Sequence, residues 1–140
     1  MKINKYLDLR EVIPPETWEQ YKESAIKLID SRIPIILERI RELCDSKPIL
    51  INNWHIGGKF KYRGYRPSTC TVGAKKSMHR EGKAIDFTVK NMSSEAVRNV
   101  IRKNADELLK MGLTRIERDV SWVHIDFKKT GLSTIYEFKP

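Results

Sequence analysis

Two histidines and an aspartate, His79, Asp86 and His124, are the residues of this chain whose types suit a metal. Two imidazoles with one carboxylate form a donor set that favours zinc over other divalent ions. Three protein ligands leave a fourth position open for water. A bound zinc ion lowers the pKa of that water toward about 7 and polarises a carbonyl. A neighbouring carboxylate then accepts the proton as the water attacks. Glu117 is the best-placed acid for that role, with Asp119 as the alternative.

The elements that must position these residues follow from the apolar pattern. Ala84 to Val89 alternates, with Ile85, Phe87 and Val89 on one face and Ala84, Asp86 and Thr88 on the other. Trp122 to Phe127 also alternates: Val123, Ile125 and Phe127 point inward, leaving Trp122, His124 and Asp126 outward. Thr114–Glu117 completes a hairpin around Arg118–Ser121. A two-residue turn at Asp119-Val120 sets Glu117 opposite Trp122 and Arg115 opposite His124, and cross-strand partners share a face. One sheet face then collects Asp86, Glu117, His124 and Asp126, and His79 enters from the preceding loop. The same spacing also fits two histidines and several acids decorating a polar sheet face.

The rest of the chain supplies the packing. Pro14-Pro15-Glu16 starts a helix, and Trp18, Tyr21, Ala25, Ile26 and Ile29 recur at its period. Ser31 and Pro34 open a second helix, or kink the first, with Ile33, Ile36, Leu37, Ile40 and Leu43 as its stripe to Cys44. Ile49–Ile51 reads as a strand after Pro48. Residues 52–78 read as one long loop, a length found where loops are functional or disordered. Ser93 or Ser94 caps a helix running to Leu109, stopped by Gly112. The expected fold is α+β: a small antiparallel sheet with helices packed on one face. We expect a single domain over residues 1–140, helical through residue 47, with sheet and metal site from residue 48.

Composition narrows the function classes. The net charge of +9 is concentrated in residues 55–83, which hold eight Lys or Arg and one acid, Glu81. Such a segment suits an anionic partner: nucleic acid, lipid surface or anionic cell-wall polymer. No apolar run reaches the length of a membrane span, and no apolar segment follows the charged first residues as a secretory signal would. Synthesis in the cytoplasm is expected, with export by a separate route. Cys44 and Cys70 form no metal-ligand or redox spacing and read as reduced thiols.

Three motifs carry a resemblance. Ser77-Met78-His79-Arg80-Glu81-Gly82-Lys83-Ala84-Ile85-Asp86 is similar to the S-x-H-x-x-G-x-A-x-D signature of the D-alanyl-D-alanine carboxypeptidase and L-alanyl-D-glutamate endopeptidase family. Those are zinc peptidases of the Hedgehog/DD-peptidase fold. Trp122-Val123-His124-Ile125-Asp126 resembles the family's W-x-H-x-D, and Gly64-Tyr65-Arg66 its upstream G-[YF]-R. The motifs come in the family's order. The resemblance implies Zn2+ on His79, Asp86 and His124, and Arg66 as the arginine that binds and polarises substrate. It also implies a peptidase acting on peptidoglycan stem peptides at the cell wall, as endopeptidase or carboxypeptidase, like compact phage lysis enzymes (endolysins) freed at lysis.

The chain departs from the family at one position. Many members carry an acid three residues before the last histidine ligand, where this chain has Ser121. Glu117 shares the predicted face with His124, whereas Asp119 sits in the turn. The departure keeps open an inactive, zinc-stabilised binding module. A nucleic-acid-binding protein is the third reading, unsupported by any recognition motif. Asp126 fits a hydrogen-bonding partner of a ligand better than a ligand. Ser77 and Trp122 are expected beside the substrate, Ser77 orienting its loop and not acting as a nucleophile. His55 reads as a loop hydrogen-bonder, and a monomer is expected.

Overall fold

The computed structural model describes residues 1–140. Proline at the first helical position forfeits no hydrogen bond, and Pro15 opens α1 (Pro15–Tyr21). Lys22 turns left-handed at φ 48°, and the chain goes on as a 3-10 helix, Lys22–Leu28. Extended backbone at Ile29 separates it from α2 (Arg32–Leu43), so the apolar stripe of residues 15–43 belongs to distinct pieces. Helix α2 buries Ile33, Ile36, Leu37 and Ile40, the one-face spacing of an amphipathic helix.

Five strands follow: β1 (Ile49–Leu50), β2 (Ala84–Val89), β3 (Arg115–Glu117), β4 (Val123–Asp126) and β5 (Tyr136–Phe138). Their order in the sheet is β1-β2-β4-β3-β5. All neighbours are antiparallel except β3 and β5, which run parallel. The α+β fold with a small, mostly antiparallel sheet agrees with the expectation from the sequence, and the parallel β3–β5 edge adds to it.

The helix expected over 93–109 is two helices, α3 (Ser94–Lys103) and α4 (Ala105–Lys110). Asn104 leaves helical geometry at φ −113°, ψ 23°, and its side-chain amide donates to the Val100 carbonyl at 2.8 Å. A short polar side chain that bonds its own backbone competes with helix continuation. Ser93 caps α3, its hydroxyl accepting from the Ala96 N–H at 3.0 Å.

The inward face of the sheet presents Ile85, Phe87, Ile116, Val123 and Ile125, all essentially inaccessible. Together with the α2 stripe, Val97, Ile101 and Leu108 they make one core cluster. Phe87 is completely buried, a burial worth roughly 1.5–3 kcal/mol.

Register departs from expectation by two residues. Glu117 pairs with His124 and Arg115 with Asp126, where a two-residue turn had set Glu117 against Trp122. The connection is longer, residues 118–122, and Asp119 takes φ 62° within it. A slip of two keeps every side chain on its face, because the pleat repeats every second residue.

Residues 52–77 carry one short 3-10 helix, Trp54–Ile56, and Met78 begins the next. The segment is laced to the N-terminal part by backbone groups. The Asn52 N–H donates to the Glu11 carbonyl at 3.0 Å, and the Tyr65 N–H to that of Val12 at 2.8 Å. The Asn52 amide and the Trp54 indole both donate to the Ile13 carbonyl, at 3.2 and 2.8 Å.

Candidate metal centre

Asp86 on β2 and His124 on β4 are direct cross-strand partners, and Glu117 on β3 is the partner of His124 on its other side. Three adjacent strands thus present an acid, an imidazole and an acid in one row across the outward face. Asp126 lies two residues along β4, on the same face, and is fully buried.

His79 arrives from a 3-10 turn, Met78–Glu81, just before β2. Ser77 caps that turn, its hydroxyl accepting from the His79 N–H at 3.2 Å. Gly82 ends it at φ 68°, and a Cβ there would drive into the Leu28 carbonyl oxygen. The glycine between the histidine and the aspartate is therefore a packing requirement as well as a turn requirement.

The three side chains converge. One ligand atom from each of His79, Asp86 and His124 lies within 4.8 Å of the others, a group that can hold a metal ion. His79 Nε2 is 3.2 Å from Asp86 Oδ2, and His124 Nδ1 is 2.7 Å from Asp86 Oδ1. The rings meet edge-on, 5.3 Å between centroids.

Each imidazole has its other nitrogen engaged. His79 Nδ1–H donates to the Gly64 carbonyl at 2.8 Å. A carbonyl only accepts, so Nδ1 carries a proton and Nε2 is the nitrogen turned toward Asp86. His124 Nε2–H donates to Asp126 at 2.8 Å, and Asp126 accepts a forked pair from Arg115 at 2.9 and 2.7 Å. A carbonyl or carboxylate fixing the outer nitrogen is the arrangement that orients histidine ligands on a metal. This donor set fits zinc.

The carboxylates and imidazoles of the group shift one another. Burial favours neutral Asp86, but hydrogen bonds from His124 and His79 outweigh it and hold the carboxyl well below its ordinary range. Burial would lower the His124 pKa, yet the Asp126 and Asp86 carboxylates raise it to about 9. For Glu117 burial dominates and pushes the carboxyl up, aided by Asp86.

These groups share a cavity of about 380 Å³, with Arg66, Ser77, Trp122, Lys128 and Phe138 also in its wall. Buried Arg66 donates from Nε to the Tyr62 carbonyl at 2.8 Å and from Nη2 to Asp86 at 3.3 Å. Burial pulls its pKa down, and Asp86 opposes that. Asp119 and Ser121 are exposed in the β3–β4 connection, outside the cavity wall. His55 stands apart from the three ligand candidates, edge-on to Trp54 at 5.8 Å. Cys44 and Cys70 are buried free thiols.

Two residues of the site escaped the sequence reading. Arg115 was set opposite His124, and its true partner Asp126 emerged only from the observed register. Phe138 packs edge-on to His124 at 5.5 Å and under the Arg115 guanidinium at 4.2 Å. Its strand carries a readable signal in the β-favouring residues Ile135, Tyr136 and Phe138.

Fold and site together define an α+β protein whose cavity on the outward face of the sheet brings together three residues, His79, Asp86 and His124, that could hold a metal ion. A family model described as Peptidase M15 matches residues 15–126, from α1 through β4, and the chain belongs to that family of zinc-dependent peptidases. No curated protein and no solved structure matches the chain significantly. No helix is long and apolar enough to cross a membrane.

Proposed function

We propose that this chain is a zinc peptidase that hydrolyses amide bonds of peptidoglycan stem peptides. The observation that carries the reading is the shared cavity: a His79–Asp86–His124 group with both outer nitrogens fixed, and the Glu117 carboxylate in the next strand. Zinc, when bound, polarises the scissile carbonyl and acidifies water. His79, Asp86 and His124 would hold it.

The chain's own residues divide the remaining tasks. Glu117 takes the proton from the attacking water and delivers it to the leaving amine. Its partial burial raises its basicity toward that need. Arg66 presents a preorganised guanidinium to a substrate carboxylate or the developing oxyanion. Asp126 and Arg115 hold the His124 ring in its orientation. Trp122 and Ser77 contribute wall to the substrate cavity.

The basic segment supports an anionic substrate surface better than a nucleic-acid interface. Arg66 is ion-paired inside the cavity, Arg80 bonds only backbone carbonyls, and Arg63 stacks on Phe60 at 3.9 Å. Exposed lysines, Lys59, Lys61, Lys75 and Lys76, remain to attract anionic wall polymer. We also propose that the chain works as a monomer at the wall, reaching it on phage lysis.

The test pairs metal content with cleavage. Wild type and His124→Ala are purified without chelator, their zinc is quantified, and new amino termini are followed on purified peptidoglycan. One zinc per chain with amine release in the wild type, both lost in the variant, is the expected result. Zinc without amine release would favour the binding module, and a zinc-free wild type would overturn the proposal.

A further inference from the structure

Arg80 sits next to His79 in the Met78–Glu81 turn, and its guanidinium bonds four carbonyls of a single short segment. Nε donates to Ala74 at 3.2 Å, Nη1 to Pro67 and Ser68 at 3.3 and 3.1 Å, and Nη2 to Cys70 at 2.6 Å. Apart from the buried side chain of Cys70, segment 67–74 has little else to hold it. Within it the Cys70 N–H donates to the Pro67 carbonyl at 2.9 Å, and at its end the Ser77 N–H donates to that of Ala74 at 3.2 Å. Ser68, Thr69 and residues 71–74 are exposed.

That segment matters because it forms cavity wall. Val72, Gly73 and Ala74 line the metal cavity. Gly73 lies so close to Arg66 that a Cβ there would collide with its guanidinium. Gly73 also belongs to a second cavity of about 750 Å³, lined by Ser68, Thr69, Thr71, Lys75 and Arg80. The segment therefore partitions two cavities, and a partition with few bonds of its own opens unless something pins it.

We propose that Arg80 is a positioning residue that pins segment 67–74 as the wall of the substrate cavity and so sets substrate affinity. The proposal rests on the peptidase reading for its substrate but not for its structural step. The planar fork reaches several carbonyls at once, and a lysine ammonium is a single point that does not. Arg80 touches neither reacting atoms nor ligands, so its effect falls on binding and less on chemistry.

The experiment uses the zinc-loaded full chain, with Arg80→Ala and Arg80→Lys. Trypsin cleavage after Lys75 and Lys76 is followed by mass spectrometry. Both variants are expected to be cut roughly tenfold faster than wild type, since several bonds to a charged group are lost. On soluble muropeptides, KM rises about tenfold while kcat changes less than about threefold, and zinc content stays at wild type. Guanidinium ion added to Arg80→Ala restores part of the KM and does nothing for Arg80→Lys. If the alanine variant fails to fold, the lysine variant carries the test. Unchanged tryptic rates in a folded variant overturn the proposal, and faster cutting with unchanged KM overturns its affinity half. If wild type cuts no muropeptide, the peptidase reading falls, while the tryptic rates still decide whether Arg80 holds the segment.

Discussion

The site has a strand-borne half and a loop-borne half, and the two are positioned by different physics. Asp86, His124 and Glu117 sit opposite one another on β2, β4 and β3, so ladder register alone sets their spacing. His79, Arg66 and Ser77 hang on segments with few ladder bonds: His79 donates to the remote Gly64 carbonyl, Arg66 to the nearby Tyr62 carbonyl and to Asp86, and the Ser77 hydroxyl accepts from the His79 N–H. A ladder distributes its positioning over many bonds, whereas the loop half concentrates it in a few. Substitutions that leave the ligands intact should therefore damage the loop half more per bond removed.

The largest expected effect breaks both halves at once. Asp86→Ala removes the carboxylate that both imidazoles face, and bound zinc should fall from one per chain to none by elemental analysis. Asp126→Asn tests support within the strand half. It keeps the shape but weakens the anchor of His124 Nε2, and a 10–100-fold loss of zinc affinity by competition titration is expected.

Gly64→Ala tests support of the loop half without touching a ligand. Its Cβ would press on the Val12 carbonyl oxygen and displace the Gly64 carbonyl that orients His79. Zinc affinity should drop by about tenfold while the far-ultraviolet circular dichroism stays native. Affinity equal to wild type would show that His79 needs no such anchor.

The smallest effect lies at the edge of the sheet. Glu137 of β5 accepts from Arg102 of α3 at 2.7 Å, and that arginine holds its carboxyl below the ordinary range. A depressed carboxyl stabilises the fold above the unfolded-state pKa of about 4.3 and loses that contribution as pH falls below it. Glu137→Gln should cost about 0.5 kcal/mol in urea unfolding at pH 7 and progressively less toward pH 3.

The same division explains what could be read from the sequence. Alternation in Ala84–Val89 and Val123–Asp126 put Asp86, His124 and Asp126 on one face, because strand periodicity is a local property. The observed hairpin register lies two residues from the one the turn residues predict, yet Glu117 reaches the cavity because the pleat repeats every two. The break at Asn104 and the parallel placement of β5 depend on local capping and on a non-local pairing, and neither follows from apolar spacing. The loop half was legible only as motif letters. The carbonyl of Gly64 behind His79, the Val12 strap and the four carbonyls on Arg80 are contacts between residues far apart in sequence, or between a side chain and backbone, which carries no residue identity to read.

The role of Glu117 is tested most directly by the cleavage rate of zinc-loaded Glu117→Gln on purified peptidoglycan, compared with wild type at equal zinc content. With Glu117 as the general base, the variant retains one zinc and its rate of amine release falls by about 10²–10⁴-fold, the contribution of a positioned base. Wild-type cleavage by Glu117→Gln with its zinc in place would contradict that role.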